Sequence, residues 1–342
     1  MLQKKITPTS LPLTLHRIRV QPTAIKPDMR IGFKLSLRCF AWSVVALMTT
    51  YLLNCYLSFW KGWPTALQLF KNSEFDELSI LQFAFYIIAV MAAVLFVILT
   101  SEKRTMHSDS ELLNQISAFI TRSAFWSVLL VGLVDAIISF LRVEGFLEYF
   151  VGVDLTKAMA QSYIRATYIH IPLCAVGVFI ASRRTKTDFG WLALLVVSAE
   201  LFIVITRFVF SYEQAFMGDL VRFWYAAMFL FASAYTLRMD QHVRVDVLYC
   251  TLSQNTRSKI NAIGSVLLGM LFCWTILLIG MWTKSSILIA PLLGFEVSQS
   301  GYGMYVKYLM AGFLLIFAVS MMLQFVSSLL ENAAKYYNEC EA

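Results

Sequence analysis

SILQFAFYIIAVMAAVLFVILT, residues 79–100, decides the fold class of this chain. The stretch contains no Asp, Glu, Lys or Arg. Its length is close to the roughly twenty residues that an α-helix needs to cross the hydrocarbon core of a bilayer. An uncharged apolar run of this length predicts a membrane-spanning helix.

Seven more apolar segments of similar length accompany this one. The eight predicted spans are residues 37–59, 79–100, 115–141, 162–182, 189–211, 217–237, 261–282 and 305–329. The sixth is short and has Asp219 and Arg222 near its start, which makes it the weakest of the set. No connection is long enough to bury a core of its own. The predicted fold class is therefore all-α, a polytopic membrane protein with about eight transmembrane helices.

The composition agrees with a chain solvated largely by lipid. Of 342 residues, 59% are apolar and only 14% are charged, and the mean hydropathy is +0.68. A soluble domain has about a quarter of its residues charged. The net charge of +7 does not indicate nucleic acid, because the basic residues lie in short segments between spans and form no basic groove with interleaved aromatics. No nucleic-acid partner is expected.

The placement of basic residues predicts the orientation. With a cytoplasmic N-terminus, the inner connections hold Lys103, Arg104, Arg183, Arg184, Lys186 and Arg238, and the outer ones hold Arg142, Lys157, Arg165, Lys284 and Lys307. Counting the basic N-terminal tail, the inner excess is roughly two to one, which satisfies the positive-inside rule. Both termini are therefore predicted to be cytoplasmic.

Motifs of enzymes and cofactor proteins are absent from the sequence. There is no GxSxG, no P-loop, no HExxH and no glycine-rich dinucleotide loop, and the six cysteines form no metal-spaced pair. A membrane cytochrome needs facing pairs of histidines, but only His170 lies in a predicted span. We therefore predict no catalytic residue, no cofactor and no metal site, and we do not expect an enzyme.

Three polar residues lie inside the predicted spans, where burial in lipid costs free energy. They are Asp135, His170 and Glu200. They could line an ion or substrate path, or they could pair with one another or with a partner helix. A path requires polar residues on several helices at one depth, together with broken helices. The spans are mostly continuous, so the pairing interpretation is favoured, and a path would place the three around one cavity.

Two connections are unusual. In the inner connection, the string HVRVD comprises His242, Val243, Arg244, Val245 and Asp246. An extended strand would put its charges on one side and its valines on the other, and residues 246–260 could follow as an amphipathic helix. This pattern favours a fixed docking element over a plain basic loop. The outer connection 283–304 is apolar, so we expect it to lie at the interface, to re-enter the membrane or to be covered by a partner.

At HVRVD the sequence resembles the small permease, or Q subunit, of tripartite ATP-independent periplasmic (TRAP) transporters, the DctQ-like family. The resemblance covers roughly residues 189–332. The other matching residues are Arg207 with Phe208 and Phe210, an acidic Asp219 where glutamate is common, and Ser285, Ser286, Glu296, Ser298 and Lys307 around the outer connection. A usual tryptophan is replaced, and Gln241 stands before His242 in place of glycine.

The resemblance divides the chain into four parts. They are a cytoplasmic basic tail (1–36), an N-terminal four-helix membrane extension (37–186), a DctQ-like core of four helices (187–335) and a cytoplasmic C-terminal tail (336–342). The extension is similar to that of longer small permeases, including the phrase DAIISFLRVEG at 135–145.

The resemblance also implies a function. The chain would brace the large M subunit in the bacterial inner membrane and help dock the periplasmic substrate-binding P protein during sodium-coupled uptake of an organic acid. Subunit or phospholipid contacts would involve Arg207, Asp219, Arg222, Ser286, Glu296, Ser298 and Lys307, and HVRVD would fix the inner loop or meet lipid headgroups. The alternatives are an independent secondary transporter or channel and, third, a membrane-bound enzyme or redox subunit.

Overall fold

A computed structural model describes residues 27–66, 77–184, 189–212, 214–239, 249–297 and 303–337. Its helices are α1 (Pro27–Trp60), α2 (Glu77–Leu99), α3 (Met106–Val143), α4 (Leu147–Val151), α5 (Val153–Met159), α6 (Ser162–Arg183), α7 (Phe189–Phe210), α8 (Ala215–Arg238), α9 (Gln254–Gly280), α10 (Ile289–Gly294) and α11 (Lys307–Tyr336). The described residues contain no strand. The predicted all-α class is confirmed.

Eight of these helices are long and apolar enough to cross a membrane, as predicted. They are α1, α2, α3, α6, α7, α8, α9 and α11. The main differences lie at the ends. Helix α1 begins at Pro27, inside the segment assigned to the tail, and α3 runs for 38 residues from Met106. The HVRVD string lies outside the described residues. After it come a 3₁₀ turn at Tyr249–Thr251 and then α9, which begins behind the capping hydroxyl of Ser253.

Helices α3 and α11 pack antiparallel through the centre of the bundle. The hydroxyls of Ser110 and Ser327 lie 2.8 Å apart, and Ser117 donates to the Ser320 carbonyl at 3.0 Å. Small residues let helix backbones approach closely, and hydroxyls then hydrogen-bond across the contact. This pair is the axis on which the remaining helices are arranged.

Two apolar clusters flank that axis. One joins α1, α9 and α11 around Met48, Leu277 and Met322, and the other joins α3, α7, α8 and α11 around Phe231 and Phe313. Because α3 and α11 take part in the packing on both sides, the predicted extension and the predicted core are packed as one bundle.

Glycines allow the closest helix contacts. A Cβ atom on Gly177 of α6 would lie 2.7 Å from the backbone nitrogen of Ser127 in α3, which is too close for any side chain. A Cβ on Gly132 of α3 would lie 2.3 Å from the indole nitrogen of Trp224 in α8. Such small residues set the spacing between α3 and its neighbours.

Two helices lie at the edges of the bundle. Helix α2 fully buries only Ser79, Gln82, Ala93 and Val97. Helix α7 fully buries only Leu192, Val196 and Ala199, which follow a single stripe against α8. Most of the surface of both helices faces outward.

The first part of the apolar outer connection, up to residue 297, folds back on the chain's own bundle. The Leu288 N–H donates to the Gly280 carbonyl at 3.1 Å, and Leu288 and Ile289 are completely buried beside α9 and α11. Helix α10 continues from there and packs on α11. The apolar character expected to mark a partner or a re-entrant loop is therefore explained for these two residues by intramolecular packing.

Candidate functional site

A buried charge network lies near the predicted outer end of α3. Asp135 is fully buried about 12 Å before the end of that helix. Its Oδ1 accepts from Arg165 at 2.9 Å and lies 3.1 Å from Nε2 of His170, and its Oδ2 accepts from the Tyr305 N–H at 2.9 Å. Three groups, two from α6 and one from the segment before α11, therefore surround one carboxylate.

Arg165 is the basic partner of Asp135, and its assignment to an outer connection from the sequence is wrong. It was counted among the charges of an outer connection, but its side chain is completely buried and forms an ion pair with Asp135. It also donates to Ser139 at 3.3 Å and to the Met159 carbonyl at 3.1 Å. The guanidinium carbon lies 4.2 Å from the centre of the Tyr305 ring, a cation–π contact that covers the remaining face.

His170 extends the network to α11. Its Nδ1 lies 2.9 Å from the Tyr308 hydroxyl, and the two rings stack with centroids 6.0 Å apart. His170 ends a π-helical turn, Ala166–His170, that interrupts α6. Pro172 follows two residues later and cannot donate a backbone hydrogen bond to the preceding turn. The proline is the local reason for the widened turn, which aims the imidazole at Asp135.

The segment just before α11 closes the network from outside. Arg142, at the end of α3, donates to the Tyr305 hydroxyl at 2.5 Å and to the Gly303 carbonyl at 3.1 Å. The Tyr305 hydroxyl in turn donates to the Ala160 carbonyl at 2.9 Å. The arrangement joins α3, α6 and α11 through polar contacts, although Nη2 of the buried Arg165 makes no hydrogen bond to any described residue. It acts chemically as a clamp that neutralises charge inside the bundle.

A second buried cluster lies at the opposite end of α3. Both oxygens of Asp109 accept from arginines at 2.8 Å, Oδ2 from Arg38 and Oδ1 from Arg104, and the Trp42 indole donates to Oδ2 at 3.2 Å. Asp109 is fully buried. Sequence reasoning missed this cluster because Asp109 precedes the predicted third span. The available signal was an acidic residue five positions after Arg104 in a connection predicted to be basic.

Glu200 is separate from both clusters. It occupies the twelfth position of the 22-residue α7, about 16 Å from either end, and it is exposed. Among the described residues, no hydrogen bond or ion pair joins Glu200 to another side chain or to the backbone of another helix. Asp135 and His170 are therefore brought together as the pairing interpretation expected, but Glu200 does not join them. The single-depth cavity that a path through these three residues requires is not formed.

The predicted outer contact residues make local interactions. Asp219 Oδ2 accepts from the Met304 N–H at 3.1 Å, and its Oδ1 lies 3.7 Å from the exposed Arg222. Glu296 and Lys307 form an ion pair at 2.8 Å. The Ser286 hydroxyl accepts from the Thr283 N–H at 2.9 Å.

The remaining predicted residues are either exposed or outside the described part. Arg207 is exposed near the end of α7. Ser298 and HVRVD lie outside the described residues, so their predicted roles remain predictions. At the same outer end, Tyr212 donates to the Glu144 carboxylate, and this hydrogen bond raises the pKa of the phenol. Within the described ranges, no three His, Cys, Asp or Glu side chains are grouped as metal ligands would be.

The eight apolar helices and the internally neutralised charges define a multi-pass α-helical membrane protein. Residues 194–335 match the family described as "Tripartite ATP-independent periplasmic transporters, DctQ component". This part of the chain is therefore similar to the DctQ component of these transporters, and the resemblance seen in the sequence is confirmed over those residues. No curated protein and no solved structure was found to match the chain.

Proposed function

We propose that this chain is the small (Q) membrane subunit of a TRAP transporter in the bacterial inner membrane. In this role it braces the large M subunit and helps to dock a periplasmic P protein during sodium-coupled uptake of an organic acid. The observation that carries the proposal is the match of residues 194–335 to the DctQ component. The buried clusters support it, because Asp109 and Asp135 are neutralised by the chain's own arginines and serve the bundle itself.

Helix α7 is the surface that we assign to the M subunit. The exposed face of the other edge helix, α2, carries no charge after Glu77 and is well solvated by lipid. The exposed face of α7 carries Glu200 at mid-span. An ionised side chain at the centre of a membrane helix costs about 2.5–3.5 kcal/mol in lipid. A basic or hydrogen-bonding group on a partner helix would remove that cost. Phospholipid would cover the apolar faces that M leaves free.

Complex formation tests the proposal directly. We expect an affinity tag on this chain to co-purify the M subunit when the two are co-expressed. Vesicles that contain both chains and the P protein should take up substrate only with a sodium gradient, and omission of this chain should abolish uptake. Solute uptake by vesicles containing this chain alone would contradict the proposal, as would failure of the two membrane chains to co-purify.

Glu200→Leu tests the assigned surface. In the isolated chain, the substitution should raise stability in detergent, because it removes a charge from an apolar surface. In the complex it should instead lower the amount of M retained on the tag. Glu148→Leu is the matched control, because Glu148 is exposed in the short α4 outside the spans. Unchanged recovery of M with Glu200→Leu would exclude this face as the M-binding surface.

A further inference from the structure

A large cleft opens at the predicted cytoplasmic end of the bundle, between α3, α6, α7 and α8. Its volume is about 1350 Å³. Four arginines line it: Arg122 from α3, Arg183 and Arg184 from the end of α6, and Arg238 from the end of α8. The cleft thus gathers cations from three helices that are far apart in sequence.

Among the described residues, no carboxylate compensates the charge in this cleft. None of the described residues that line it is acidic. By contrast, Arg38, Arg104 and Arg165 of the same bundle each pair with a carboxylate at 2.8–2.9 Å. Guanidinium groups gathered in one cleft repel one another. A bound anion would offset that repulsion, and the described residues that line the cleft supply none.

Two donors in the wall of the cleft have no acceptor within the part of the chain that the structure describes. Nε of Arg122 and the indole Nε1 of Trp126 are both buried, and neither makes a hydrogen bond. Buried donors in folded proteins are nearly always paired, so each unpaired one needs an explanation. An anion with several acceptor oxygens would satisfy both donors.

Apolar residues form much of the remaining lining, alongside polar ones such as Ser117, Thr121 and Gln324. Phe125 and Leu129 continue from Arg122 along α3, and Leu195 faces them from α7. At the mouth, Phe179 and Trp191 are exposed by 58% and 63%. The cleft therefore has a cationic end at the level of the helix termini and an apolar end towards the middle of the membrane.

We propose that this cleft binds an anionic glycerophospholipid of the inner leaflet. Its phosphate would be held by Arg122, Arg183 and Arg238, because a phosphate group accepts several hydrogen bonds from guanidinium groups. Its acyl chains would lie on the apolar wall. The headgroup and free phosphate share the chemistry of the charged end, but only the lipid uses the wall between α3 and α7. The site belongs to this chain alone and does not depend on the proposed subunit role.

Lipid retention by the purified full-length chain tests the site. Protein in dodecyl maltoside is titrated with phosphatidylglycerol, with phosphatidylcholine of the same acyl chains, or with inorganic phosphate. Bound lipid is counted by native mass spectrometry, and melting is followed in parallel. We expect one phosphatidylglycerol to be retained with a rise in melting temperature. Phosphatidylcholine should bind at least tenfold more weakly, and phosphate should not protect.

Substitutions locate the site. Arg183→Gln and Arg238→Gln should each weaken phosphatidylglycerol retention about tenfold, because each removes about one charge-assisted hydrogen bond to the phosphate. Both side chains are exposed, so neither change disturbs the core. Lys103→Gln is the matched control, because Lys103 is also exposed at the predicted cytoplasmic end but does not line the cleft.

Three results would overturn the proposal. The first is equal retention of the two lipids, which would show that the charge of the headgroup is not recognised. The second is protection by inorganic phosphate equal to that by phosphatidylglycerol, which would make the ligand a free anion. The third is an equal loss of lipid with Lys103→Gln, which would indicate a diffuse electrostatic effect. None of these results bears on whether the chain binds an M subunit.

Discussion

Single side chains decide how this bundle tolerates charge. Asp135 and Arg165 are both completely buried, and each would be very costly alone in an apolar interior. His170 and the Tyr305 N–H make two further contacts with the carboxylate oxygens. The pair is therefore tolerated as a unit.

The pairing can be measured with a double-mutant cycle. Asp135→Asn leaves the Arg165 cation buried without a counter-charge and should lower the free energy of unfolding by about 3–5 kcal/mol. Arg165→Met should be destabilising in the same range. The double variant should lose much less than the sum, because neither charge is then left unpaired. Unfolding in mixed micelles of SDS and dodecyl maltoside gives these free energies.

Asp154→Asn serves as the control for this cycle, because Asp154 is exposed in α5. The free energy of unfolding of this variant should equal that of the unaltered chain. Additive losses from Asp135→Asn and Arg165→Met would show that the two side chains do not stabilise each other in the membrane.

At the scale of helices, close backbone contact sets the geometry. The approach of α6 to α3 at Gly177 aligns the π-helical turn so that His170 lies beside Asp135. The interface and the network therefore depend on each other. A side chain at this glycine position would separate the two helices and lengthen the contacts of the network.

Gly177→Ala is expected to destabilise the chain by about 1–3 kcal/mol, because the added methyl group meets the backbone of Ser127. The melting temperature in detergent checks this. Gly264→Ala is the matched control, because a Cβ atom there meets no atom within 4 Å, and it should be neutral or slightly stabilising. A melting temperature for Gly177→Ala equal to that of Gly264→Ala would contradict the close contact.

At the scale of the whole molecule, the region matched by the family is not packed as an independent unit. Helix α11 lies inside that region, but it packs extensively on α3, which lies before it. Tyr305 and Tyr308 hydrogen-bond to Asp135 and His170 across the predicted boundary at residues 186 and 187. The division into an extension and a core remains a prediction about sequence, but the packing crosses it.

Residues 187–342 expressed alone are therefore expected to be recovered in low yield as a polydisperse species. Co-expression of residues 1–186 as a separate chain should restore a monodisperse complex, because the α3–α11 interface can form between two chains. Size-exclusion chromatography in detergent distinguishes these outcomes. A monodisperse 187–342 segment that melts at the temperature of the full chain would contradict this expectation.

The membrane-spanning helices were predictable from the sequence, but the contacts between their polar side chains were only partly predictable. Long apolar runs such as 79–100 predicted all eight helices, because lipid requires apolar length irrespective of neighbours. Asp135 and His170 were recognised as costly, and their mutual pairing was favoured. Arg165 was mistaken for a loop charge because it sits at the start of a span, and Asp109 was overlooked before the start of another.

By itself, the sequence determined that this is a helical membrane chain and that its C-terminal part resembles the DctQ component, because hydropathy and local motifs can be read directly along the chain. Tertiary structure alone decided which charges meet, since Arg165 reaches Asp135 only when α3 and α6 pack together. It also decided that Glu200 faces outward and that four arginines share one cleft, because direction around a helix and proximity between helices arise only when the helices are packed.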